Sequence, residues 1–143
     1  MPTLNAALDA SASGLAAERM RIEVAVSNLA NAESTRGADG RPYRRRDVVL
    51  ASQPVESFDS ALGRTGAVGV RVASIVEDQA PERRRYEPSH PDADKDGYVG
   101  LPNVDPAEEM VDMVSAARAY QANLTAISLI RDLIQRALEL GRG

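Results

Sequence analysis

The first thirty residues carry apolar side chains at helical spacing. The intervals are three, four or seven residues, which places these side chains on one side of a helix that we predict over residues 3–32. A helix of roughly 28 residues in this range is about 42 Å long, which is long for a chain of 143 residues. Gly14 is its weak point and costs about 1 kcal/mol relative to alanine. The stripe comprises Leu4, Leu8, Ala12, Leu15, Ile22, Val26 and Leu29.

The last forty residues have the clearest helical boundaries in the chain. Asp105 is a suitable N-cap, Pro106 fits the first helical position, and Glu108 completes a capping-box pattern. We predict that this helix continues to about Leu140 and that Gly141 ends it. One apolar stripe comprises Met113, Ala117, Tyr120, Leu124, Ile127, Ile134 and Leu138, and we place a second beside it at Met110, Val114, Ile130, Leu133, Ala137 and Leu140. So wide an apolar surface can contact more than one neighbour.

The middle of the chain has a different pattern. Turn-forming residues dominate residues 33–42 and break the helical periodicity. Valine-rich and alternating segments then indicate short strands. We predict strands over residues 43–51, 68–76, 82–86 and 98–101, with a loop over 53–67.

These elements predict an α+β fold. The two long terminal helices pair as an antiparallel, coiled-coil-like unit, and a small β-rich insert separates them along the chain. We divide the chain into an N-terminal helix (1–33), a central segment (34–102) and a C-terminal helix (103–143). The central segment is too small to cover the apolar surfaces of helices of this length. The helices must therefore pack against each other or against a partner.

Composition supports a thin core. Aromatic residues make up 3% of the chain, there is no Trp, and Phe58 is the single phenylalanine. A small core leaves little stability to an isolated subunit, which favours packing against neighbours. The 17 basic and 21 acidic residues give a net charge of −4, which argues against nucleic acid or an anionic membrane as the main partner.

The sequence predicts neither a cleaved signal peptide nor a membrane-spanning segment. It contains no Cys, which rules out disulfides and thiol chemistry. We see no cleavable signal peptide at the N-terminus and no apolar run near the ~20 residues that a membrane span needs. We therefore expect a soluble protein, whose export would use a route without a cleaved signal.

An acidic segment over residues 92–99 resembles the start of an EF-hand calcium loop. Asp92, Asp94 and Asp96 occupy the first three ligand positions, and Gly97 permits the sharp turn. Position twelve is Asn103 instead of a bidentate Glu. We therefore favour a tight turn that joins two strands, with no metal and no cofactor. The single histidine, His90, has no second ligand at useful spacing and is interpreted as a loop residue.

Two arginine triplets, at residues 44–46 and 83–85, are flanked by Tyr43 and Tyr86. They are compatible with a nucleic-acid patch, with solvent-facing strand edges, or with an anionic cell-wall glycan. On a strand edge, arginine would either prevent edge-to-edge pairing or meet acidic groups on a neighbour. The net negative charge favours the strand edges over nucleic acid. Met110 and Met113, at helical spacing, indicate interface packing. No nucleophile–base pair, phosphate loop or carboxylate constellation stands out, so we expect no enzymatic activity.

Both ends of the chain carry specific motifs. Residues 27–32 read SNLANA, and residues 109–123 read EMVDMVSAARAYQAN, followed by LELG at 138–141. These segments resemble the two signature segments of bacterial flagellar rod and hook proteins. Segments of the middle resemble the short proximal rod proteins of that family: residues 76–78, Pro81, Arg83, 86–88, 90–94, 97–99 and 102–104.

The resemblance implies a structural role. Such proteins leave the cytoplasm unfolded through the flagellar type III export apparatus and polymerise into the periplasmic rod, which transmits torque and encloses the export channel. Partners would be further copies, other rod proteins and the junction to the export gate and membrane ring, with peptidoglycan as a further candidate. The expected subunit-interface residues are Leu4, Leu8, Leu15, Ile22, Val26, Asn28, Leu29, Asn31, Met110, Met113, Val114, Ala117, Tyr120, Gln121, Leu124, Ile127, Ile134 and Leu138.

Two further expectations and three alternatives accompany this interpretation. Polar stripe residues such as Asn28 and Gln121 would fix register between subunits. The helical ends of a free subunit would be disordered and fold on assembly, because packing supplies most helical stability. Another rod or hook protein is the nearest alternative, and a calcium-binding module or a nucleic-acid adaptor is more distant.

Overall fold

The computed structural model describes residues 4–37, 40–54 and 68–141. Two long helices bracket two antiparallel strand pairs, which confirms the predicted α+β fold. In chain order the elements are α1 (Leu4–Ala30), β1 (Arg46–Pro54), β2 (Val68–Glu77), β3 (Arg83–Tyr86), β4 (Tyr98–Leu101) and α2 (Pro106–Leu140).

The termini of α2 follow from local sequence. The Asp105 side chain accepts a hydrogen bond from the backbone N–H of Ala107, and Pro106 begins the helix as predicted. At the other end, the N–H of Gly141 donates to the carbonyl of Ala137. Gly141 has a φ of −80°, so it ends the helix in a right-handed conformation, without the left-handed cap typical of glycine.

The helices pack antiparallel. A Cβ atom at Gly14 would lie 2.9 Å from the Nδ2 of Asn123, and the Nδ2 of Asn28 lies 3.0 Å from a carboxylate oxygen of Glu109. Fourteen residues separate the two contact points on each helix, so both helices advance together in opposite directions. Gly14 is therefore more than a weak point, because its missing side chain admits Asn123.

The strands form two separate ladders. β1 pairs with β2 from Arg46 opposite Glu77 to Pro54 opposite Val68, with an irregularity between Val49 and Leu50. β3 pairs with β4, with Arg83 opposite Leu101. The four predicted strands are all present, although β1 begins three residues later than predicted. The loop predicted over 53–67 begins with two residues of β1, and its remainder lies outside the described residues.

α1 lies between its neighbours. It contacts α2, and it also contacts β1 and β2. The Ser13 hydroxyl accepts a hydrogen bond from the N–H of Val70 at 3.0 Å, which fixes β2 against the N-terminal half of the helix.

The core is small and rich in alanine. The buried apolar residues within the described part of the chain are Ala6, Ala17, Ala25, Ala32, Val99, Leu101, Val104 and Ala116. The leucines and isoleucines of both helices are half-buried or exposed instead. Small buried residues let the helices approach closely, and they leave the larger side chains at the margins of the contact.

The second apolar stripe predicted on α2 is wrong as a single surface. At about 100° per residue, Met110 and Val114 lie on a different side of the helix from Leu133 and Leu140. All four side chains are exposed, at 50%, 48%, 55% and 85% respectively. α2 therefore presents apolar residues on both flanks.

Candidate assembly surface

The residues expected at subunit interfaces divide by exposure. One is buried, Asn28. Nine are half-buried: Leu8, Leu15, Ile22, Leu29, Asn31, Met113, Tyr120, Ile127 and Ile134. Eight are exposed: Leu4, Val26, Met110, Val114, Ala117, Gln121, Leu124 and Leu138. Seventeen of the eighteen thus retain surface that a neighbouring chain could contact.

Two further exposed apolar residues on α2 were missed by the sequence interpretation. Val111 is 69% exposed and Leu129 59%. Val111 and Leu129 are eighteen residues apart, about five helical turns, so they share one side of the helix. Buried Ala116 lies on roughly the opposite side. This spacing was visible in the sequence, but the inward and outward sides could not be assigned without the partner helix.

A polar junction lies where α1, α2 and the start of β1 meet. The Oδ1 of Asn28 accepts from the N–H of Arg46 and from the Tyr43 hydroxyl, each at 2.9 Å. The Nδ2 of Asn28 donates to the carbonyl of Arg46 at 2.8 Å and to Glu109 at 3.0 Å. The amide of Asn28 is therefore fully paired, and all of its partners belong to the same chain.

Glu109 is a buried carboxylate with a cationic partner. It is 2% exposed, and its second oxygen accepts from the Nε of Arg45 at 2.6 Å. Arg45 also contacts Asp47 at 2.8 Å and Asp112 at 3.5 Å. One guanidinium thus serves three carboxylates.

The electrostatics of the junction follow from this arrangement. Burial lowers the pKa of Arg45, but the hydrogen bond and charge of Glu109, together with the charges of Asp47 and Asp112, outweigh it and raise that pKa. Burial raises the pKa of Asp47, and the opposing attraction of Arg45 does not cancel the effect. Glu109 is the buried partner of Arg45, at 2.6 Å, whereas the side chain of Asp47 is 47% exposed.

The acidic segment at residues 92–99 contains the predicted tight turn before β4, closed by a hydrogen bond from the N–H of Gly97 to the carbonyl of Asp94. The Oδ1 of Asp94 accepts from the backbone N–H groups of Asp96 and Tyr98, each at 2.9 Å. Asp92 accepts instead from the Thr35 hydroxyl at 2.8 Å and pairs with Arg36 at 3.1 Å. These carboxylates point to different partners, and among the described residues no group of three or more His, Cys, Asp or Glu could hold a metal ion.

Arginines of both triplets pair with acidic groups of the same chain, and contact with acidic groups of a neighbour stays a prediction. Arg83 and Arg85 contact Glu33 at 3.7 and 2.9 Å. Arg84 pairs with Asp94 and lies 5.1 Å from the ring centre of Tyr98. Glu33, which follows α1, thus ties β3 to the end of that helix, whereas the Arg84–Asp94 pair lies within the β3–β4 unit.

His90 occupies a loop, as interpreted. Its Nδ1 accepts a hydrogen bond from the N–H of Asp92 at 3.1 Å. Within the described ranges, neither helix is long and apolar enough to cross a membrane.

Comparison with known proteins finds two family matches, one towards each end of the chain. The family described as "Flagella basal body rod protein" matches residues 8–38. The family described as "Flagellar basal body rod FlgEFG protein C-terminal" matches residues 95–140. Each match includes most of one terminal helix and residues of the polar junction, which defines the class as flagellar rod proteins.

The relatives narrow this class. Flagellar basal-body rod protein FlgC of Salmonella typhimurium (strain LT2) is 46% identical over 134 residues, covering 94% of this chain and 95% of the relative. The proteins of that name from Bacillus subtilis (strain 168) and Borreliella burgdorferi are 44% and 40% identical, covering 94% and 98% of this chain and 96% and 99% of their own lengths. The chain therefore belongs to the FlgC family of flagellar basal-body rod proteins, and it is a structural subunit of the basal body.

Proposed function

We propose that this chain is a subunit of the proximal rod, which polymerises through its terminal helices to form part of the drive shaft and of the export-channel wall. The observation that carries this proposal is the exposed apolar surface of α2. Leu124 is 41% exposed and Leu138 62%, in a helix that packs against α1 alone among the described helices and strands. Contacts of one copy's helices with a different surface of the next copy generate an open helical polymer.

The partners and location follow from this role. We propose contacts with further copies, with other rod proteins and with the proteins that join the rod to the export gate and membrane ring. The assembled subunit would lie in the periplasm, where the outward-facing strand pairs could meet peptidoglycan. Export would occur as an unfolded chain without a cleaved signal, and the lack of Cys is compatible with that route because no disulfide would obstruct it.

The proposed role is mechanical, without catalysis. The groups with shifted pKa values serve structural contacts: Arg45 pairs with Glu109, and Asp94 accepts backbone hydrogen bonds within a turn. A perturbed pKa is often a sign of catalysis, but structural ion pairs shift pKa values as well.

Substitution of Leu124 tests the proposal. Leu124→Asp places a charge on the exposed apolar surface, where burial against a neighbour would leave that charge unpaired. We expect the variant to be exported, to be absent from purified basal bodies and to abolish swimming. Thr125→Asp is the matched control, because Thr125 is an exposed polar neighbour on a different side of α2. Wild-type swimming with Leu124→Asp would contradict the proposal, and loss of export would place the defect before assembly.

A further inference from the structure

The apolar contact between the two helices discriminates poorly between alternative registers. The buried apolar residues of α1 are Ala6, Ala17 and Ala25, and that of α2 is Ala116. Among the described residues, no large apolar side chain of either helix is fully buried in this contact. Packing complementarity depends on differences in side-chain size, which are slight here.

A polar contact distinguishes the registers. Asn28 and Glu109 are 1% and 2% exposed, and they are the buried polar residues of the described chain. Their hydrogen bond of 3.0 Å joins α1 to α2 across 81 residues of sequence. The other oxygen of Glu109 is paired with Arg45, and the remaining hydrogen bonds of Asn28 involve Tyr43 and Arg46.

A slip of one turn would disrupt this arrangement. Moving α2 by four residues would place Glu109 beside Val24 or Ala32 instead of Asn28. A buried carboxylate would then face an apolar side chain, and the amide of Asn28 would lose its acceptor. A buried polar group without its partner is strongly disfavoured, which is how single polar residues select register in paired helices.

We propose that the Asn28–Glu109 pair is the register lock of the terminal helices within one subunit. The contact of Gly14 with Asn123, about four turns away, fits the same register. A larger side chain brought opposite Asn123 by a slip would collide with it, so the two contacts reinforce each other.

The register lock also affects how subunits assemble, an inference that rests on the proposed function. Equal steps from Gly14 and Asn123 place Leu4 beside Leu133, so residues 134–140 extend about 10 Å beyond Leu4. Leu138 and Leu140 in this extension are 62% and 85% exposed. The register therefore determines which apolar side chains each copy offers to the next.

Disulfide trapping can measure the register directly, because the chain contains no Cys. Gly14→Cys with Asn123→Cys reports the observed register, since these positions are in contact. Gly14→Cys with Ala119→Cys reports a slip of one turn. The ratio of the two disulfides in the full-length chain gives the relative population of the registers, even where the helices pair only part of the time. We expect at least a tenfold preference for the Asn123 pair.

Exchanging two residues of α1 should move the register. In Val24→Asn/Asn28→Val the amide lies one turn earlier, and Glu109 can meet it only if α2 slips by one turn. We expect the Gly14–Ala119 disulfide to become at least as abundant as the Gly14–Asn123 disulfide. A poorly folded chain cannot produce this gain of a specific new disulfide.

Asn31→Val is the matched control. Asn31 belongs to the same SNLANA segment, but its amide donates to the carbonyl of Ser27 on its own helix at 2.8 Å. The disulfide ratio should stay that of the parent chain. Retention of the parent ratio in the Val24/Asn28 exchange would overturn the proposal. Loss of both disulfides would also overturn it, because a contact that only selects register is not required for helix pairing.

Discussion

Gly97 has a φ of +82°, in the left-handed region that side chains disfavour. A Cβ atom there would also lie 2.8 Å from the ring of Tyr86. Gly97→Ala should therefore destabilise the β3–β4 pair by more than the roughly 1–2 kcal/mol of the conformation alone. Chemical unfolding followed by tyrosine fluorescence measures the effect.

Gly40 provides the control for this prediction. Its φ is +79°, but no atom of the described residues lies within 4 Å of the position that a Cβ atom would take there. Gly40→Ala should therefore show the conformational cost without the collision. Equal effects of the two substitutions would show that Tyr86 does not restrict the turn.

Asp94 should make the stability of the turn depend on acid. The hydrogen bond from the N–H of Tyr98 lowers the pKa of its carboxyl group, and the bond from Asp96 and the charge of Arg84 act in the same direction. A pKa that is lower in the folded than in the unfolded state gives stability that is present above the unfolded pKa and is lost as pH falls through the folded pKa. The amide signal of Tyr98 in an NMR titration should report this loss. Asp94→Asn should remove the acid dependence, whereas Asp96→Asn in the same turn should retain it.

At the scale of the element, the Gly14–Asn123 contact predicts an unusual response to alanine. Gly14→Ala should gain about 1 kcal/mol of helix propensity, but the new methyl group would collide with Asn123. We expect little or no net stabilisation from this substitution. In the background of Asn123→Ala the same substitution should stabilise the protein by about 1 kcal/mol, because the obstacle is gone. Denaturant unfolding of both single variants and the double variant measures these effects. If the effects of Gly14→Ala and Asn123→Ala on the free energy of unfolding were additive, the result would contradict the contact.

How far the sequence predicts each element depends on how local its determinants are. The start of α2 was predicted because Asp105 and Pro106 act within one turn. The start of β1 was predicted too early because Tyr43 and Arg45 are held by Asn28 and Glu109. That second cause joins residues far apart in the chain, and a local pattern of valines and arginines does not contain it.

The candidate site shows the same division. Apolar periodicity identified the helices and most of their exposed apolar residues. It did not show that Asn28 faces Glu109 of its own chain, because that contact spans 81 residues. Its expected role in fixing register between subunits therefore stays a prediction, beside the register within the subunit that we propose.

At the scale of the molecule, the two helices differ in how they are supported. α1 is held by α2 and by the β1–β2 pair. Among the described residues of α2, none after Ala116 is buried. We expected both ends of a free subunit to be disordered, and the structure indicates that they differ in stability. The part of α2 beyond Ala116 should open more readily than α1, because local stability follows the density of buried contacts.

Tryptic digestion of the free subunit tests this gradient. Arg118, Arg131 and Arg136 are exposed on the outer part of α2, whereas the Arg45 side chain is 18% exposed and paired with Glu109. We expect cleavage after the three α2 arginines to precede cleavage after Arg45 by at least tenfold in rate, since proteolysis requires local opening. The same sites in assembled basal bodies should resist the protease, because neighbouring subunits cover them. Cleavage after Arg45 as early as cleavage in α2 would contradict the gradient. Resistance of α2 in the free chain would show that the C-terminal part of α2 is stable without a neighbour.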